Sequence, residues 1–137
     1  MDVLTDPAAS ILVLAVDDED AILLLVEDAL KEGGYAIETA GGSKQALALL
    51  DQKHSAYRAL ITDVNMGAGQ PTGWDVARHA RQLNPDIPVV YMTGDGGGDW
   101  AANGVPNSVL VCKPFAVAQI VTAVSHLLNA GGPIAPP

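Results

Sequence analysis

The sequence predicts an α/β protein, a doubly wound parallel sheet of five strands with helices on both faces. Three observations predict it. Short apolar runs alternate five times with segments of helical periodicity, the pattern of right-handed strand–helix–strand crossovers. The runs are apolar along their length rather than every second residue, as strands covered on both faces are. Four of them also end on a charged or hydroxyl residue: Asp17-Asp18, Asp63, Thr93 and Lys113-Pro114. In an open parallel sheet all strand C-termini lie on one edge, and ligands bind there. Three carboxylates, a hydroxyl and an amine therefore converge on one pocket, with Asp63 of the central strand at its floor.

Taken in order, residues 1–9 lack periodicity and read as a loose lead-in. Ile11–Val16 is the first strand. Asp17-Asp18-Glu19-Asp20 follows, with Glu19 or Asp20 placed in a first helical turn that favours negative charge. Ile22, Leu25, Val26, Ala29 and Leu30 recur at helical spacing and predict a helix over about residues 20–32, stopped by Gly33-Gly34. Leu23 and Leu24 lie beside that stripe, which leaves Leu24 as a candidate exposed residue and a possible partner or homodimer surface. Tyr35–Ala40 is a second, more polar strand. Gly41-Gly42-Ser43 breaks it, with Ser43 as the expected helix N-cap. Ala46, Leu47 and Leu50 form the apolar face of the next helix.

Ala59–Asp63 is the third strand, followed by a Gly-rich loop from Asn65 to Thr72. Val76, Ala77, Ala80 and Leu83 mark a helix that ends before Pro85. Pro88–Met92 is the fourth strand. Gly94–Gly104 contains five glycines, at 94, 96, 97, 98 and 104, so any helix there is expected to be short and mobile. Ser108–Cys112 is the fifth strand, with Cys112 expected to be a small buried hydrophobe. Val117, Ile120, Val121, Val124, Leu127 and Leu128 form the face of a last helix. Gly131-Gly132-Pro133 ends it, and the tail is expected to be disordered.

Composition narrows the function. The 137 residues, 49% hydrophobic and 17% charged, suit one globular domain with no room for an output domain. A net charge of −9, from 16 acidic and 7 basic residues, argues against nucleic-acid binding, which needs clustered Lys and Arg. The single cysteine excludes an internal disulfide and fits a reducing compartment. The longest apolar runs, about six residues, fall far short of the ~20 of a membrane span. The acidic N-terminus lacks the basic start of a signal peptide. A soluble, cytoplasmic protein is expected.

Singly, each site feature has a plain structural reading. Asp-Asp at a helix start is also a cap, Asp63 also a turn residue, and Lys113 also a solvated lysine. The ordered set is more specific. Val16-Asp17-Asp18, Ile61-Thr62-Asp63-Val64-Asn65-Met66, Met92-Thr93-Gly94 and Cys112-Lys113-Pro114-Phe115 together resemble the response-regulator receiver domain of two-component signalling. The resemblance covers roughly Ser10 to Asn129, giving a domain at 10–130 with flexible termini at 1–9 and 131–137. It implies a flavodoxin-like strand order 2-1-3-4-5.

The resemblance also implies roles. Asp63 would accept a phosphoryl group from a sensor histidine kinase or a histidine phosphotransfer protein. Asp17, Asp18 and Asp63, with the backbone carbonyl of Asn65, would hold Mg²⁺, for which hard oxygen ligands are suited. Thr93 would hydrogen-bond a phosphoryl oxygen. Lys113 would pair with another and, at rest, with Asp63. The Lys113–Pro114 bond is expected to be cis. The implied protein is a stand-alone switch, not an enzyme, that works by protein–protein contacts or as a phosphate shuttle or sink.

Three departures stand out. Leu110 occupies the place of the usual strand-five Tyr or Phe. Gly94 follows the threonine where Ala or Ser is usual. Gly67 replaces the usual Pro, in a loop about two residues longer than common. The Thr93-Gly94 pair is similar to atypical receivers with a Phe-x-Thr-Gly-Tyr motif, although Asp95 stands where that motif has an aromatic residue.

Three other function classes fit these residues less well. A phosphatase of the haloacid-dehalogenase type needs a second acid two residues after the nucleophile, where this chain has Asn65. A flavodoxin-like cofactor binder needs a phosphate-cradling loop where Asp17-Asp18 would repel phosphate. A pseudo-receiver would bind partners without phosphorylation, against which the intact acidic triad argues. His54, His79 and His126 read as surface or boundary residues. Trp74 and Trp100 flank loops near the site edge as cover residues or partner contacts.

Overall fold

The structure, a computed structural model, describes residues 11–94 and 98–130. The expected flexible termini, the helix stop at 131–133, and Asp95, Gly96 and Gly97 lie outside the described residues. The elements run β1 (Leu12–Val16), α1 (Asp20–Glu32), β2 (Ala36–Ala40), α2 (Ser43–Lys53), a 3-10 turn (His54–Ala56), β3 (Tyr57–Asp63), α3 (Gly73–Leu83), β4 (Val89–Thr93), α4 (Trp100–Asn103), β5 (Ser108–Cys112) and α5 (Val117–Ala130). All strand pairs are parallel, in the order β2-β1-β3-β4-β5. This is the doubly wound, flavodoxin-like sheet that the alternation predicts.

Successive strand residues point to opposite faces of the sheet, so each buried strand feeds two cores. Val13, Ala15, Ala59, Ile61, Val90 and Met92 pack with Leu23, Val26 and Leu30 of α1 and Ile120, Ala123 and Val124 of α5. Leu14, Val16, Leu60 and Tyr91 pack on the other face with Ala46 and Leu50 of α2 and Val76, Ala77 and Ala80 of α3. Registers Leu60↔Val89 through Asp63↔Met92 join β3 to β4, and Val16↔Thr62 ends the β1–β3 ladder. Asp17 and Asp63 therefore emerge at the same edge.

Four expectations need correction. The buried stripe of α1 is Leu23, Val26 and Leu30, while Leu25 is 50% exposed beside Leu24 at 59%. At 100° per residue Leu25 sits nearly opposite Leu23, so one helix cannot bury both against the same sheet. Ser43 is not the N-cap of α2; Gly42 is, and Ser43 lies inside the first turn, buried, with no partner for its Oγ among the described residues. Cys112 is exposed rather than buried, because it ends β5, an edge strand. Trp74 is no cover residue of the site. It packs against the α2/α3-side core and meets the Tyr91 ring at 4.6 Å between centroids.

Within the glycine-rich stretch 94–104 the described helix is short, as expected: α4 has only 4 residues. The chain from Trp100 to Ser108 is fastened from several directions. The Val105 N–H donates to the buried Tyr91 hydroxyl at 3.1 Å, and Trp100 Nε1 donates to Ser108 Oγ at 3.0 Å. From α3, Arg81 reaches the carbonyls of Ile87, Pro106 and Asn107, and Arg78 reaches Asn103.

Candidate functional site

Strand termination builds the site. The Asp17 N–H continues the β1–β2 ladder onto the Ala40 carbonyl at 3.2 Å, the Val64 N–H reaches the Met92 carbonyl at 3.1 Å, and the Lys113 N–H reaches the Thr93 carbonyl at 2.7 Å. Each site residue thus stands at, or one step beyond, the last ladder pair, where its side chain leaves the sheet. The β3–α3 loop is held close by the Gly73 N–H, which donates to the Val64 carbonyl at 2.8 Å. Gly67 and Gly69 turn that loop with φ of 111° and 77°, a region that disfavours side chains. Thr72 and Asp75 form a reciprocal capping box that fixes the start of α3. The peptide bond between Lys113 and Pro114 is cis, as expected.

Asp17, Asp18 and Asp63 each present a carboxylate oxygen within a cluster 4.8 Å across. Asp17 and Asp63 are buried and Asp18 is exposed. Lys113 Nζ reaches Asp17 Oδ2 at 3.0 Å, Glu19 Oε1 at 3.0 Å and Asp63 Oδ1 at 3.4 Å. Asp17 Oδ1 also accepts the Glu19 N–H at 2.9 Å. Thr93, buried, ends β4 one residue beyond Met92, the ladder partner of Asp63. Asn65 lies two residues past Asp63 at the surface. The sequence-predicted set Asp17, Asp18, Asp63 and Lys113 is thus brought together, with Thr93 and Asn65 on the adjoining chain segments.

The electrostatics follow from crowding acids at the end of a dry sheet. Burial, then the neighbouring Asp17 charge, pushes the Asp63 carboxyl up to about 6, against the pull of Lys113. Burial likewise raises Asp17, opposed by its bond from the Glu19 N–H and by Lys113. Burial alone would lower Lys113, but hydrogen bonds to Asp17 and Glu19 outweigh it and raise the amine above its ordinary value. A cluster of three carboxylates, two of them buried, is chemically suited to a hard divalent cation.

Two neighbours escaped the sequence reading as site residues. Glu19 is a partner of Lys113, and its acidity beside Asp17-Asp18 was the available signal. Gly73 is the other. A Cβ there would lie 2.0 Å from the Asp63 carbonyl oxygen, a tertiary contact that no local pattern encodes. The expected resting partner of Lys113, Asp63, is its most distant of the three. The histidines lie elsewhere, with His79 Nε2 paired to Asp51 at 2.6 Å.

Comparison with known proteins agrees with this geometry. Residues 13–125 match the family described as response regulator receiver domain. The two-component response regulator ARR11 of Arabidopsis thaliana is 31% identical over 119 residues, covering 85% of this chain and 22% of that protein. Sensor kinase CckA of Brucella abortus is 29% identical over 127 residues, covering 91% of this chain but only 13% of the kinase. The chain therefore spans a small fraction of these relatives. Among solved structures, a response regulator receiver protein from Sinorhizobium medicae superposes with a TM-score of 0.85 at 38% identity, covering 90% of this chain and 98% of that one. Chemotaxis response regulator CheY4 of Vibrio cholerae gives 0.75 at 26% identity, covering 87% and 99%.

Proposed function

This chain belongs to the response regulator receiver domain family, and from that premise we propose that it accepts a phosphoryl group on Asp63 from a phosphohistidine of a sensor histidine kinase or a histidine phosphotransfer protein. The observation that carries the reading is the convergence of the Asp17, Asp18 and Asp63 carboxylates, within 4.8 Å, on a site that Lys113 also enters. Receiver domains are signalling modules of two-component systems that bind Mg²⁺ at such an acidic pocket. Here Asp17, Asp18 and Asp63, with the Asn65 carbonyl, would hold the ion, which supplies charge neutralisation to the phosphoryl oxygens.

The chain's own residues have separable tasks. An Asp63 carboxylate oxygen attacks phosphorus in line, the P–N bond breaks, and the histidine nitrogen keeps the electron pair. Burial that raises Asp63 also strips water from it, which leaves the anion less solvated and more reactive once its charge is countered. Lys113 turns its ammonium to a phosphoryl oxygen, and the Thr93 hydroxyl donates to another. The Asp17 charge at the other side of Lys113 keeps the amine protonated throughout.

The domain spans residues 10–130. Its output runs through protein–protein contacts, or the chain serves as a phosphate shuttle or sink. Leu24 and Leu25, adjacent and exposed on α1, are partner contacts on this reading. On this reading the Thr93-Gly94 pair and Leu110 resemble the atypical Thr-Gly receivers in part, with Asp95 standing where their motif has an aromatic residue. Leu110 is packed against the α2/α3-side core and has no hydroxyl to turn inward, so the segment attached to Thr93 carries the signal instead. No helix among the described residues is long and apolar enough to cross a membrane.

Incubation with a small-molecule phosphodonor and Mg²⁺ followed by intact-mass measurement tests the assignment. The wild type gains one phosphoryl mass and Asp63→Asn gains none. A full shift in Asp63→Asn refutes Asp63 as the acceptor.

A further inference from the structure

The resting position of Lys113 has a consequence for control of the site, and the inference drawn from it rests on the phosphoacceptor reading above. We propose that Glu19 is a positioning residue that holds Lys113 back from the phosphoryl position, so that phosphorylation must break the Glu19–Lys113 pair. A lysine ammonium has three N–H donors and no more. In this fold they face Asp17 Oδ2 at 3.0 Å, Glu19 Oε1 at 3.0 Å and Asp63 Oδ1 at 3.4 Å. A phosphoryl group adds about two negative charges and three acceptor oxygens. Lys113 sits farther from Asp63 than from the other two acids, so moving its amine onto a phosphoryl group there lengthens one of its two shorter contacts.

Asp17 cannot release the amine cheaply. Its side chain is fully buried, and its other oxygen is tied to the Glu19 N–H. Glu19 is built differently. Its backbone is fixed as the N-cap of α1, where its carbonyl accepts the Ile22 and Leu23 N–H groups. Its side chain is 61% exposed, so water can take over its charge when the amine leaves. Lys113, by contrast, is only 17% exposed and has few places to turn other than these acids. Glu19 is therefore the releasable partner, and it competes with the phosphoryl group for the same N–H.

An ion pair with one exposed partner carries a factor of about two to five. Binding of beryllofluoride, a phosphoryl mimic, in saturating Mg²⁺ reads this out, with the tryptophan fluorescence of the protein as reporter. Glu19→Gln tightens binding two- to fivefold. Glu19→Asp, which keeps the charge but is one methylene short of the amine, tightens it equally. Asp20→Asn, which removes a neighbouring charge from the first turn of α1, leaves it unchanged. In a Lys113→Ala background Glu19→Gln has no effect. The proposal is overturned if Glu19→Gln binds as the wild type does, if Glu19→Asp binds as the wild type while Glu19→Gln tightens, or if the gain persists without Lys113. A wild type that takes neither beryllofluoride nor a phosphoryl group overturns the phosphoacceptor reading itself, and this inference with it.

Discussion

Gly73→Ala tests how tightly the start of α3 is joined to the floor of the site. The ideal Cβ of residue 73 lies 2.0 Å from the Asp63 carbonyl oxygen, 2.8 Å from its carbonyl carbon and 2.9 Å from Val64 Cα. A carbon–oxygen contact needs about 3.3 Å, so α3 or the end of β3 must move by roughly 1.3 Å. All three obstacles are backbone, and none can rotate aside. The Gly73 N–H to Val64 carbonyl bond of 2.8 Å resists the same movement. Overpacking of this kind costs about 1–3 kcal/mol, which for a domain of this size lowers the melting temperature by about 5–12 °C. An acceptor displaced by ~1 Å also loses up to about a hundredfold in rate. Thermal unfolding and phosphorylation rate are measured together, with Gly42→Ala as control because a Cβ there meets nothing within 4 Å. If Gly73→Ala melts within about 2 °C of the wild type and accepts phosphoryl normally, the reasoning from this contact is wrong.

Other outcomes follow from the same site. Mg²⁺ at about 100 times its dissociation constant should stabilise the fold by roughly 2.7 kcal/mol, and Asp18→Ala, at an exposed position, should lose that response; a flat melting curve against Mg²⁺ in the wild type speaks against the metal site. Without divalent ions, the folded state holds a proton on Asp63 up to about 6, whereas its ordinary value is 3.8. Folding therefore binds a proton, and stability falls as pH rises between those values, by about 3 kcal/mol for a shift of ~2 units. Urea unfolding across that window in chelator should show the fall, and Asp63→Asn should remove most of it. Amide exchange with and without beryllofluoride should show changed protection at residues 98–104 while protection around Leu110 stays the same. Changes confined to Leu110 and α5 would discard the proposed output route.

The fold was legible because strands buried on both faces need unbroken apolar runs, and those runs are short, clear and correctly ordered here. Asp17, Asp63, Thr93 and Lys113 were legible for the same reason: a charge at the end of a buried strand can only leave the sheet at its edge. What was not legible depends on angles and on distant neighbours. Leu23 and Leu25 are chemically identical, and only the rotation of α1 against the sheet decides which is buried. Ser43 has the chemistry of a cap, but the chain turns into the helix one residue earlier, at Gly42. Cys112 looks like any strand residue until β5 is known to be an edge. Glu19 and Gly73 owe their place at the site to contacts with Lys113 and Asp63 across long stretches of chain.

The bond from the Lys113 N–H to the Thr93 carbonyl, at 2.7 Å, bears on how the proposed switch would return to rest. Thr93 and Lys113 come from different strands, yet their main chains are clasped at the rim. A displacement of Thr93 tows the base of Lys113 with it. The two groups proposed to meet the phosphoryl oxygens are therefore tied through their main chains rather than set on independent segments. On the proposed function, departure of the phosphoryl group would be felt at both residues through this shared main-chain bond.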